Sequence, residues 1–250
     1  MITRRAWLGD DAYITFRTID NFINGYGLTW NTIERVQSYT HPLWMLLLSL
    51  VYYFTEEIYF SSIIVSILIS LTAVSILAFS LASSKLSAIF AVLILTLSNA
   101  YVDYSTSGLE NPLSHLLLVI FIAVYFKGKT SEKNLFWLSL IASLGITNRM
   151  DTALVYLPIL VYRAYEIKTW RSLAVLVLGH FPFILWELFS LFYYGFPFPN
   201  TSFAKLNTGL TTQTYIAQSQ YYFLNLFNND PLTLVAIAVE LLIPVLNQSY

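Results

Sequence analysis

The chain has 250 residues, of which 57% are hydrophobic and 11% charged, with a formal net charge of −1 and a mean hydropathy of +0.63. Soluble domains carry roughly a quarter charged residues, so this composition calls for an apolar solvent, a lipid bilayer. The few Lys and Arg are scattered, which excludes a nucleic-acid surface, and the absence of Cys excludes disulfides, thiolate metal sites and cysteine nucleophiles.

Residues 1–41 are polar, aromatic and acidic, with adjacent carboxylates at Asp10 and Asp11. Arg4 and Arg5 lead into those acids instead of an apolar core, so this opening does not read as a cleavable signal. Apolar stretches follow at 42–55, 58–82, 86–101, 108–126, 134–147, 152–167, 172–195 and 231–246. A crossing helix needs about 20 residues, so the longer stretches qualify and several fall short. Backbone in lipid must bond to itself, which makes these stretches helical. The predicted fold class is therefore all-α, a polytopic transmembrane helical bundle behind an extended acidic first external loop. Residues 1–41 form that loop with its interfacial helices, 42–195 the bundle, 196–230 a second external loop, and 231–250 a last, truncated membrane helix.

Lys127, Lys129 and Lys133 flank one connection, and Lys168 with Arg171 another, so both are assigned to the cytoplasm. The opposite side then receives the opening loop, the polar island 102–111, the break 148–151 and the stretch 195–230. Three apolar stretches between 42 and 101 would set Asp103 and Asp10 on opposite sides. One of the three is thus expected to be re-entrant or merged with a neighbour.

Adjacent carboxylates can divide two tasks, one taking a proton and the other holding a cation or orienting its partner. A solvated turn or a helix cap is the plainer alternative. Tyr13, Trp30, Tyr39 and Trp44 cluster around the acids, where rings would stack on sugar faces. His41, His115 and His180 show no paired metal spacing.

The opening run Gly9-Asp10-Asp11-Ala12-Tyr13-Ile14-Thr15-Phe16-Arg17 is followed by Asn24-Gly25-Tyr26-Gly27-Leu28-Thr29-Trp30-Asn31. Then come Glu34-Arg35-Val36 and Ser38-Tyr39-Thr40-His41-Pro42-Leu43-Trp44. Together these resemble the first external loop of GT-C type membrane glycosyltransferases that use polyprenyl-phosphate sugars, above all the terminal arabinofuranosyltransferases of actinobacterial cell walls. The likeness continues through Tyr104-Ser105-Thr106-Ser107-Gly108-Leu109-Glu110-Asn111-Pro112-Leu113, Asn148-Arg149-Met150-Asp151 and Phe198-Pro199-Asn200-Thr201-Ser202-Phe203-Ala204-Lys205.

The resemblance implies Asp10 as general base on an acceptor hydroxyl, with Asp11 supporting it or exchanging roles. It implies a polyprenyl-phosphate-linked sugar as donor, inversion at the anomeric carbon, and an external glycan or lipid as acceptor. It also implies an inner-membrane, multi-pass protein working at its periplasmic face. Tyr13, Arg17, Trp30, Glu34, Arg35, Tyr39, His41, Glu110, Asn148, Arg149, Asp151, Asn200 and Lys205 are the substrate-binding candidates. Charge developing on a departing phosphate needs cations. Arg17, Arg35, Arg149 and Lys205 are available, and the bidentate fork of arginine favours Arg35 and Arg149. Each is alternatively an interfacial cation with its head in water. Arg149 and Asp151 are equally readable as a structural ion pair. A divalent cation held by Asp10 or Asp11 with Glu110 is chemically reasonable. Members of the family begin with a membrane helix before the acidic loop and run far beyond 250 residues, so the chain is expected to be a fragment. A flippase of lipid-linked intermediates and a non-catalytic membrane partner are the alternatives, although the matched broken helices of a transporter are not evident.

Overall fold

The structure is a computed structural model that describes residues 5–200 and 209–247; all of its regular elements among those residues are helices. Helix α1 spans Asp10–Ile23, with Ala12, Phe16 and Ile19 buried at helical spacing and Thr15 beside them. The opening segment, read as a loop with interfacial helices, thus holds one amphipathic helix of 14 residues, followed by irregular chain to His41. Helices α2 (Pro42–Thr55) and α3 follow, α3 continuing from Tyr59 through a widened last turn to Leu81. Next come α4 (Lys85–Leu97), α5 (Asn99–Tyr104), α6 (Asn111–Lys127) and α7 (Glu132–Asn148). After them lie α8 (Ala153–Ile167), α9 (Arg171–Gly179), α10 (Phe181–Tyr194), α11 (Thr212–Asn229) and α12 (Pro231–Asn247).

Two apolar stretches break where the sequence reading ran them through. Ser98 ends α4 and caps α5 by accepting from the Tyr101 N–H, and Pro182, in the first turn of α10, follows a bend of 57° between α9 and α10. Among the described residues, Tyr59–Leu81 is the one continuous helix of 23 residues long and apolar enough to cross a membrane, with the bent α9–α10 pair a second if it forms one span. Helices α2, α4 and α6 are apolar but shorter.

Helix α7 is the axis of the bundle, buried around most of its circumference, and it packs against α2, α6, α8, α9 and α10. Small residues let its neighbours approach. A Cβ on Gly145 would lie 2.4 Å from the Tyr156 ring, and one on Gly179 2.4 Å from Ser139. Helix α3 offers the same device on its buried face, with Ser62, Ser66, Ser70 and Ala73 in line.

Helix ends gather at two poles. At one, Lys127 Nζ donates to Ser80 Oγ at 2.8 Å, Arg163 donates to Thr130 Oγ1 and the Tyr125 carbonyl, and Thr169 donates to Glu132. Both lysine-bearing connections lie there. At the other pole α1 lies across the bundle. Its first residues are tied to the 102–111 island through Gly9 N to Ser107 O, Trp7 Nε1 to Asp103 O and the Arg5–Asp103 pair. Its far end is clamped by Tyr193 and Tyr194 through Leu28.

Helix α2 is the stretch that does not alternate between poles. Its 14 residues reach about 21 Å, and Tyr52 in its last turn still donates to Asp20 of α1 at 2.9 Å. With α2 beside α1, the ends bearing Asp10 and Asp103 come to the same pole.

Candidate active site

A cavity of about 510 Å³ opens at the acidic pole, walled by α1, the 38–41 segment, the Leu109–Glu110 turn ahead of α6, the 149–151 segment after α7 and Pro199. Its construction begins at Gly108. The φ of +77° there is a left-handed conformation that suits glycine, and a Cβ would meet Ala12 and Leu8 at 2.8 Å. The turn therefore seats directly on α1, with Trp44 Nε1 donating to the Gly108 carbonyl at 2.9 Å. This delivers Glu110, the residue before α6, to the cavity wall.

Glu110 does not cap its helix with its side chain. It is buried, and its two oxygens face different partners: Oε1 lies 2.9 Å from Arg149 Nη1, and Oε2 lies 3.1 Å from His41 Nδ1. His41 Nε2 lies 2.8 Å from Thr15 Oγ1 on α1. A proton on Nδ1 faces the carboxylate and leaves Nε2 to accept from the threonine hydroxyl. Burial would raise the Glu110 carboxyl, but the close contact with His41, and beyond it the charge of Arg149, hold it below the ordinary carboxylate range.

Arg149 follows the last residue of α7, and its Nε donates to both oxygens of Asp151 at 2.9 Å. Partial burial works against its charge, yet Asp151 and Glu110 together hold the guanidinium more firmly protonated than usual. With Nε committed to Asp151 and one Nη1 donor to Glu110, both Nη2 donors and the second on Nη1 are left for an anion. The alternative of an Arg149–Asp151 ion pair is therefore realised, and the arginine still stands on the cavity wall. Asn148 is fully buried and donates to the Glu110 carbonyl and Ser114 Oγ, so it holds the turn and does not face the cavity.

Among the adjacent acids, Asp11 lines the cavity with Ile14 and Thr15, three and four residues on and so on the same edge of α1. Asp10 is rotated off that wall, and its Oδ1 accepts from the Asp11 N–H at 3.0 Å. Tyr39 and His41 reach the cavity as well, but the Tyr39 hydroxyl is bound to Tyr194 at 2.9 Å, and burial first, then Tyr194, pushes it well above its usual range.

The remaining sequence candidates lie elsewhere. Arg17 stacks on Trp30 at 4.3 Å, Arg35 on Tyr193 at 5.0 Å, and Glu34 accepts from Asn31 at 2.7 Å. Tyr13 is half-exposed with its ring edge-on to Phe16. Asn200 is exposed, its backbone N–H donating to the Gln37 carbonyl, and Lys205 lies outside the described residues. Among the two favoured arginines, Arg149 thus stands at the cavity and Arg35 does not. Its aromatic partner explains why: a guanidinium on a ring face is held locally. Among the described residues no group of three or more His, Asp or Glu is placed to hold a metal. Thr15 was not singled out in the sequence, although its spacing of four from Asp11 puts it on the same helix edge.

No family model matches the chain, and no solved structure matches it. Over 221 residues it is 26% identical to the "Terminal beta-(1->2)-arabinofuranosyltransferase" of Mycobacterium tuberculosis, a match covering 81% of this chain and 35% of that protein. The chain therefore spans about a third of the relative's length. The likeness supports a glycosyltransferase-like relationship.

Proposed function

We propose that the chain carries the active site of a multi-pass inner-membrane glycosyltransferase of GT-C type. It would transfer a sugar from a polyprenyl-phosphate donor to a glycan or lipid acceptor at the external face. The observation that carries this reading is the meeting of Asp11 with Glu110, Arg149 and Asp151 around one cavity, from three separate segments of chain. The broad apolar surface of the outer helices, with Leu68, Phe79, Leu154 and Phe192 exposed, fits a lipid surround. The lysine-bearing pole then faces the cytoplasm.

Asp11 removes the proton from the acceptor hydroxyl. The oxygen lone pair attacks the anomeric carbon from the face opposite the phosphate, the C–O bond to phosphate breaks, and its electron pair leaves on the polyprenyl phosphate. Arg149 Nη2 meets the charge arriving there, held in place by Glu110 and Asp151. Asp10 acts through Asp11, by its contact with the Asp11 N–H. Asp11 thus takes the base role that the family resemblance implied for Asp10, because it is the acid at the cavity.

The relative's name makes an arabinofuranosyl donor the first to test. Membranes containing the protein are supplied with polyprenyl-phosphoryl-[14C]arabinofuranose and an arabinan oligosaccharide. Asp11→Asn should lower transfer roughly 100- to 10,000-fold with membrane insertion intact, and Asp10→Asn should cost far less. Undiminished transfer by Asp11→Asn would discard the assignment.

A further inference from the structure

Glu187 is the only acidic residue in the apolar stretch 172–195, and an acid in such a place is a functional candidate by default. It lines a second, small cavity beside the first, and the two share Thr40, Met150 and Pro199 as walls. The small cavity measures about 10 Å³, near the least that admits one water or one hydroxyl. Glu187 Oε1 is buried and has no hydrogen-bond partner. The neighbouring amide does not serve it: Gln37 Oε1 accepts from Ser190 and Gln37 Nε2 donates to the Tyr39 carbonyl. A buried carboxyl oxygen left without a donor is costly, and the cavity that Glu187 lines has the size of the missing group.

We infer that Glu187 is a specificity-determining residue that accepts a hydrogen bond from one ring hydroxyl of the donor sugar. Met150 divides the two cavities and directly follows Arg149. A donor whose phosphate lies on Arg149 therefore has its sugar beside the Thr40–Met150 wall, within reach of the hydroxyl-sized recess behind it. The inference rests on the glycosyl-transfer reading above and adds to it the group that senses the sugar's hydroxyl pattern. A site built to bind a hydroxyl rejects the analogue that lacks it, because its own polar atom is then left unpaired.

The experiment compares the native donor with analogues deoxygenated at one ring hydroxyl at a time, using the unmodified protein, Glu187→Leu and Glu187→Gln in membranes. The unmodified protein should discriminate against one analogue, and Glu187→Leu should raise the native donor's KM by about 10- to 100-fold while erasing that discrimination. The acceptor's KM should stay where it was. Glu187→Gln keeps an acceptor oxygen and should recover most of the discrimination, so the result survives even if the leucine variant inserts poorly. Transfer by the unmodified protein together with unchanged donor KM and unchanged discrimination in both variants would overturn the inference and leave the glycosyl-transfer reading standing. Absence of transfer by the unmodified protein would overturn both.

Discussion

Glu110 shows how a single acid acquires a role from its surroundings. In sequence it stands just ahead of an apolar helix, where its charge would favour the positive helix end. In the fold its oxygens turn instead to His41 and Arg149, and each partner makes the others' burial affordable in free energy. Its carboxyl titrates below the ordinary value of 4.5, so between those two values the unfolded chain binds more protons than the folded one. The associated stability is complete above about pH 4.5 and is lost as pH falls through the native value. Glu110→Gln should therefore lower the stability at neutral pH by roughly 1–3 kcal/mol, and with it the unfolding midpoint. It should also flatten the decline of the midpoint below about pH 4.5. Thermal unfolding in detergent across that window checks both; equal acid sensitivity in the two proteins would remove Glu110 as the cause.

At the level of elements, the decisive join is α1 on the 102–111 turn. In sequence, α1 was read only as part of an acidic loop with interfacial helices, and the turn was marked by Gly108 followed by Asn111-Pro112, with proline tolerated in a first helical turn. Their contact was not legible, because a chain separation of nearly a hundred residues leaves no periodic trace. Gly108→Ala tests the join. The added Cβ faces Ala12 and Leu8 at 2.8 Å in a left-handed backbone, which should cost roughly 2–4 kcal/mol. The loss should appear as protease sensitivity of α1 before the bundle unfolds; α1 remaining as resistant as in the unmodified protein would mean that another contact seats it.

For the whole molecule, the arrangement of helix ends bears on sidedness. The chain has no Cys, so single cysteines report accessibility without background. Introduced at Glu56 and at Asp103 they should react with an impermeant maleimide from outside, and at Lys129 only after the membrane is opened. Labelling at Glu56 from the lysine side would mean that α2 crosses after all, and the shared pole of Asp10 and Asp103 would need another explanation.

Composition dictated helices, since a chain this apolar and this short of charge leaves its backbone no partner but itself. Charge placement separated lysine-bearing connections from acidic ones, and local motif placed Asp11, His41, Glu110, Arg149 and Asp151 among the candidates. Which of them share a cavity was a matter of packing. A one-residue step along α1 turns Asp10 away and Asp11 inward, a ring face holds Arg35 aside, and α2 lies beside α1 instead of running to the lysine-bearing pole. Those outcomes depend on contacts between residues far apart in the chain, whose energies no stretch of sequence contains by itself.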